Sequence, residues 1–148
     1  MSAIGNKLHT QEYLYDFSKD GGAVGAIELS AKAGMKDVPV GAVIKRVSMR
    51  VLEAFTSGGS ATLVWGNGDD ADGYSGSAVA VASLTAGAVF NGYDNGAALI
   101  WDDTNDHPID VNVADADDGS LSVTIGTAAM TAGKAAFMVE YYMPGQAE

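Results

Sequence analysis

From Val43 to Phe55 the chain reads VIKRVSMRVLEAF, and apolar and polar side chains alternate along most of it. Val43, Val47, Met49, Val51 and Phe55 fall on one side, and Ile44, Arg46, Ser48, Arg50 and Leu52 on the other. This is the two-residue period of a long strand with one face on a core. KAAFMVEYYM repeats the pattern near the end, with Ala135, Phe137, Val139, Tyr141 and Met143 sharing a face. Between them IDVNV alternates Ile109, Val111 and Val113, and LSVTI alternates Leu121, Val123 and Ile125. The connector ADADDGS contains Asp-Gly, a favoured turn dipeptide, so the two segments are expected to form a hairpin.

Further strands are expected in GAIEL (25–29), ATLVW (61–65), SAVAVASL (77–84) and AALIW (97–101). Helical patterning is weak: LSAKAGM is broken by Gly34, and 19 glycines punctuate the chain. The alanines of SAVAVASL suit a helix as well, but its turn-bounded setting favours a strand. A Thr-Ala-Gly corner recurs in LTAGAV (84–89) and MTAGKA (130–135), with FTSGGSA (55–61) a looser relative. Each is expected to be a turn in which glycine supplies a positive φ, and the uneven spacing excludes a solenoid. About seven or eight short strands divided by turns predict an all-β chain, a single-domain β-sandwich or jelly roll.

Residues 1–22 break the pattern. NKLHTQEYLYDFSKDGG mixes charges with Leu8, Tyr13, Leu14, Tyr15 and Phe17 and ends in two glycines, so an extended N-terminal arm over 1–22 is expected to precede a sandwich body over 23–148. Such an arm either packs back on its own body, stays loose, or anchors its aromatic side chains in a neighbour's groove.

The composition narrows the chemistry. A chain of 148 residues suits one domain with one core. It has no cysteine, which removes disulfides, thiolate nucleophiles and cysteine zinc sites. Its two histidines, His9 and His107, leave little material for an imidazole metal cluster or acid–base relay. No run approaches the ~20 apolar residues of a membrane helix. The N-terminal stretch lacks the basic start and apolar run of a secretory signal, so the chain is expected to stay in the compartment where it is made.

The net charge of −11 is uneven: residues 1–50 hold seven of the eight Lys/Arg and five acids, whereas residues 51–148 hold Lys134 and fourteen acids. An acidic surface of this kind repels free nucleic acid and anionic membranes, and the basic N-terminal third favours an acidic partner; ordinary solubilising charge is the plainer reading.

Asp69, Asp70 and Asp72 crowd the stretch GNGDDADGY. An EF-hand loop fails here, because placing its glycine on Gly73 puts Gly68 at the first ligand position and Val79 at the twelfth. DADDG (115–119) fails because Ala116 falls where a ligand is needed. A looser calcium set from Asp69, Asp70, Asp72, Asp102, Asp103 and Asp106 is the alternative to hydrated loop ends, which are the expectation. Paired-carboxylate hydrolysis needs one acid in an apolar setting, whereas these lie beside glycines in turns. The acids also repel phosphate from the glycine-rich loop, and no serine has a histidine partner in view. The residues therefore point to no enzyme, no cofactor and no metal. Trp65 and Trp101, each just before an acidic loop, form the best argument for a binding module that stacks on a sugar; a buried position is the commoner fate of a strand tryptophan.

YDFSKDGGAVGAIEL, VPVGAVIKRVSMRVLEAFTSGGSATLVWGNGDDADGY, SLTAGAVF and LSVTIGTAAMTAGKAAFMVEYYMPG together resemble small structural proteins of tailed bacteriophages, the capsid decoration or cement proteins. The resemblance spans roughly Tyr15 to Tyr142 and is thinnest between Gly92 and Ser120. It implies a β-sandwich or jelly roll, made in the bacterial host cytoplasm, that binds the outer surface of the virion capsid and staples neighbouring major capsid proteins. It also implies self-association as a trimer, with a dimer the alternative, and brings no catalytic or metal residues. On that reading Lys7, Tyr13, Leu14, Tyr15, Phe17 and Lys19 contact the capsid or a sister subunit. The alternative function is a phage tail or fibre module that recognises a surface glycan through Trp65 and Trp101.

Overall fold

The computed structural model describes residues 8–91, 101–102, 107–108 and 111–144. In chain order these form β1 (Leu8–Asp16), α1 (Phe17–Asp20), β2 (Gly25–Glu28), β3 (Val43–Ser57), β4 (Thr62–Gly66), β5 (Val79–Ala80), β6 (Val89–Asn91), β7 (Trp101–Asp102), β8 (His107–Pro108), β9 (Val111–Asn112), α2 (Ala116–Gly119), β10 (Ser122–Gly126) and β11 (Met130–Tyr142). Two sheets build an all-β sandwich. The larger runs β1-β11-β3-β6 with β9 also on β3, and the smaller runs β2-β10-β4-β5. All their pairings are antiparallel. β7 and β8 form a separate pair.

The two-residue period does most of this work. Ala135, Phe137, Val139 and Tyr141 of β11 and Val47, Met49, Val51 and Phe55 of β3 are buried, facing Leu63 and Trp65 of β4 and Val123 and Ile125 of β10. Trp65 lies edge-on to Phe137 and Phe90, with ring centroids 5.9 and 5.8 Å apart. Such offset aromatic contacts add to the burial of large apolar area.

β3 departs from strict alternation where its pairing with β11 slips. Arg46 pairs with Glu140 but Ile44 with Tyr141, so Lys45 is an extra residue that lets Ile44 turn inward beside Val47. Val51 pairs with Ala135 and Glu53 with Lys134, which makes Leu52 the extra residue and leaves it exposed. These are β-bulges: the first puts Ile44 on the core side where Val43 was expected, whereas further slips in the pairing beyond Leu52 keep Phe55 buried as expected. The Thr-Ala-Gly stretch at 131–133 lies inside β11, not at a corner: Gly133 sits at φ +146° against the Phe55 ring, where a Cβ would approach to 2.6 Å. The copy at 85–87 is a turn, closed by the Ala88 N–H donating to the Thr85 carbonyl at 3.0 Å with Gly87 at φ +87°.

The hairpin expected from IDVNV and LSVTI does not form. Within it, Val111 and Asn112 pair with β3 in the larger sheet, whereas β10 pairs with β2 and β4 in the smaller; Ile109 lies outside the described residues. The acidic connector makes a helical turn because Asp115 accepts from the Asp118 N–H and the Asp118 carboxylate accepts from the Asp115 N–H, a capping box. SAVAVASL contributes only Val79–Ala80 as strand, followed by a 3₁₀ turn at Val81–Ser83. Of AALIW only Trp101 is described.

Residues 8–16, expected within an arm, are the edge strand β1, paired with β11 from Leu8↔Tyr142 to Asp16↔Lys134. Segment 29–37 covers the outer edge of β1. The Lys32 ammonium donates to the Leu14 carbonyl at 2.7 Å and to the Asp20 carboxylate at 2.9 Å. The Lys36 carbonyl accepts from the Tyr13 hydroxyl at 2.6 Å. A lysine and a loop across an exposed strand edge leave little room for another strand to add there.

Candidate functional site

Of the six residues expected to contact a partner, Lys7 lies outside the described residues. Tyr13 and Tyr15 alternate inward from β1 and are 1% and 0% exposed. The Tyr15 hydroxyl donates to the Gly21 carbonyl at 2.7 Å, and its ring stacks on Phe55 at 5.5 Å. Burial, then the Asp20 and Asp16 charges, push the Tyr15 hydroxyl up to about 12; burial foremost also raises that of Tyr13. Phe17 is half-buried against the core, Lys19 is exposed, and Leu14 is half-buried on the outside of the larger sheet. The side chains that touch solvent here therefore belong to a sheet face and to the short turn that follows it. That turn is fixed by Asp16, whose carboxylate accepts from the Ser18 hydroxyl and N–H at 2.7 and 3.0 Å, bonds that hold it below the usual carboxylate range.

The acidic corner is closed by a partner remote in sequence. Asn67 folds the chain after β4, its side-chain oxygen accepting from the Asp69 and Asp70 N–H groups, both at 3.0 Å. The Gly68 N–H donates to the Asp117 carbonyl at 3.0 Å and the Ser120 hydroxyl oxygen at 2.9 Å, which ties this turn to α2. Carboxylate oxygens of Asp69, Asp115 and Asp118 thereby come within 4.8 Å of one another. Asp70 and Asp72 form a second close pair, and the Asp70 carboxyl is raised chiefly by its hydrogen bond with Asp72. Asp102, Asp103 and Asp106, counted with this corner in the calcium alternative, have no described side chains.

A hydrogen bond with Asp118 is the main cause that raises the Asp69 carboxyl, helped by burial and the Asp118, Asp115 and Asp117 charges. The same bond, with those from the Ala114 and Asp115 N–H groups, lowers Asp118. A raised carboxyl favours the fold in acid and loses that contribution as pH rises through its raised pKa; a lowered one does the reverse, losing its contribution as pH falls. At neutral pH the Asp69 charge therefore opposes the cluster. Asp69→Asn keeps a donor for Asp118 and removes that charge, so its thermal midpoint at pH 7 is expected to exceed the parent's, with the gain shrinking as the pH drops into the carboxylate range. Thermal melts of both chains from pH 3 to 8 check this, and a variant less stable than its parent at pH 7 refutes it.

The outward face of the larger sheet is the other feature that stands apart. Met138, Val89, Leu52 and Leu8 are exposed, Met138 by 40% and Val89 by 58%. Glu12, Ser48, Met49, Arg50, Val89, Ala136 and Met138 line a shallow depression of about 330 Å³ in it. Its charges are sorted by strand, with Glu12 and Glu140 on β1 and β11 and Arg46 and Arg50 on β3. Among the described residues none of these four has an ion pair within the chain. Lys134, at the far end of β11, is held between Asp16 and Glu53 at 3.8 Å from each. The alternation of β3 carries Arg46 and Arg50, but which acids lie beside them depends on register, which the sequence does not reveal.

Trp65, half of the sugar-stacking pair, is 2% exposed and belongs to the core. Among the described residues no helix is long and apolar enough to cross a membrane.

No family model matches the chain, and no curated protein does. Solved structures share its fold. A chain from the capsid asymmetric unit of cyanophage Pam1 superposes with a TM-score of 0.59 at 16% identity, covering 97% of this chain and 93% of that one. A chain from the acid-stable capsid of Helicobacter pylori bacteriophage KHP30 superposes with a TM-score of 0.55 at 13% identity, covering 97% and 94%. Both neighbours are therefore chains of this chain's own size.

Proposed function

We propose that this chain is a structural protein of a phage virion, one that binds the outside of the capsid and stabilises it by bridging neighbouring major capsid proteins. The observation that carries the reading is the end-to-end match of fold and size to chains from two phage capsids, reaching 97% of this sequence in each case. Fold alone does not specify function, so the chemistry of the surface matters. The described residues offer clustered exposed carboxylates and a mixed apolar and charged sheet face, which suit adhesion better than catalysis. The reading includes no enzymatic activity, no cofactor and no direct contact with nucleic acid or membrane. Repetition on a symmetric shell lets weak single contacts add up to firm attachment. Leu14 on the outer sheet face and the exposed Lys19, together with Lys7, are proposed to contact the capsid or a sister subunit; Tyr13, Tyr15 and Phe17 serve by holding β1 and α1 in place.

The test is co-sedimentation of the purified chain with DNA-free heads that lack it, prepared from the phage that encodes it, followed by heating of the decorated and bare heads. Saturable binding and a higher disruption temperature are expected. Heads that neither bind the chain nor gain resistance refute the proposal.

A further inference from the structure

The sorted charges on the outer face of the larger sheet do not depend on the capsid reading, and they point to a partner. Across this face the register aligns Leu14, Ala136 and Arg50 with Val89 in one row. Glu12, Met138 and Ser48 align in the next, and Thr10, Glu140 and Arg46 in a third. Acids thus stand on the β1–β11 side and arginines on the β3 side, with Ala136 and Met138 between them. A contiguous patch of exposed apolar side chains on a monomer marks an interaction surface, and over these three rows its two halves carry opposite charge, while one row further Lys134 of β11 and Glu53 of β3 reverse the order and already pair with each other.

We infer that this face docks on the same face of a second copy of this chain, about a two-fold axis that runs parallel to the strands between β11 and β3. Such an axis exchanges β11 with the partner's β3 and β1 with the partner's β6, as an isologous contact requires. Glu140 of each copy then faces Arg46 of the other, Met138 faces Ser48, Ala136 faces Arg50, and Leu14 faces Val89. Two Glu140–Arg46 pairs thus cross the contact, one on each side of the axis. The same face offered to a uniformly acidic or uniformly basic surface would bring half of its charges against like charge, so the self-contact is the occupant its pattern fits. The exposed acids at the α2 end stay outside the contact.

The experiment is sedimentation velocity of the full chain over a concentration series at low and high salt, with Arg46→Glu, Glu140→Arg and the double exchange R46E/E140R. The parent is expected to be dimeric at about 100 μM, where a Kd of ~10 μM already gives mostly dimer, and to dissociate as salt screens the charge pairs. Each single exchange sets like charges face to face and is expected to weaken the dimer at least tenfold, while the double exchange restores it. Far-ultraviolet circular dichroism of the two single variants, whose changes lie on the surface, shows whether they stay folded. Met138→Asp tests the apolar middle without touching the charged pairs. A parent that remains monomeric, a dimer that both single exchanges leave intact, or a trimer each overturns the inference. Loss of head binding with an intact dimer would instead count against the capsid proposal alone.

Discussion

A chain lacking residues 1–20 is expected to lose its folded state, not merely its adhesion. The deletion removes β1, which pairs with β11 over nine residues and supplies Tyr13 and Tyr15 to the core. Truncating one large buried aromatic side chain costs about 3–5 kcal/mol. Losing two such rings approaches the whole stability of a domain, about 5–15 kcal/mol. The deletion also bares one edge of β11 and strips Phe55 of its stacking partner. Circular dichroism and urea unfolding measure the outcome. Retention of a cooperative transition with the parent's denaturant slope would show that β1 is dispensable and that the segment acts as an appended arm. For the same reason capsid contacts of this segment are better probed with Lys19→Glu than by truncation, since Lys19 is exposed.

Trp65→Ala is expected to destabilise the chain by about 3–5 kcal/mol, as large aromatic deletions in cores do, and to leave it marginal or unfolded at 37 °C. Trp65 lies at the centre of the sandwich, where its ring contacts Phe90 and Phe137 and its backbone N–H donates to the Ser75 hydroxyl oxygen at 3.0 Å. The alternative placed this residue on a sugar-binding platform, where an alanine would abolish saccharide binding and leave stability nearly unchanged. Urea denaturation, paired with a glycan-binding assay on the same preparation, separates the two. A Trp65→Ala chain as stable as its parent would refute the buried role.

How far each element was legible depended on whether its determinants lay within one strand. β11 and β4 were readable because each is a single segment of alternating character: Ala135, Phe137, Val139 and Tyr141 are buried as predicted, while Met143, just past the end of β11, is only partly buried and the buried Met130 at its start was not foreseen. β3 was readable in extent but not in detail. The Lys45 and Leu52 bulges come from a mismatch in step with β11, and no property of the β3 residues alone announces them. Residues 111–125 misled because Asp-Gly is a strong local turn signal, while the capping box between Asp115 and Asp118 competes for the same residues and sends the chain across to the other sheet. The pairing of the N-terminal segment with β11 was not legible for a different reason. Tyr13, Leu14 and Tyr15 form an apolar run too short to show a period, and the two glycines after it resemble a hinge.

The candidate surfaces divide in the same way. Asp69, Asp70 and Asp72 were visible as a cluster, but the pairing of Asp69 with Asp118 joins residues brought together by hydrogen bonds from the turn after β4 to α2. The arginines of β3 were visible as polar positions of an alternating strand, whereas the acids across from them were fixed by β11 and β1.

The amino-acid sequence by itself determined that the chain is β-rich, free of thiol chemistry and poor in imidazole, and which side of its principal strands would be buried, because side-chain alternation is a property of one strand and needs no partner. Tertiary structure alone decided which strands became neighbours, where the register slipped, that residues 8–16 pair with β11, and which acids lie beside Arg46 and Arg50 on one sheet face. Those outcomes depend on pairings between residues up to more than a hundred positions apart, such as Leu8 with Tyr142, and their energy arises from the contacts and hydrogen bonds that exist only once both strands are in place.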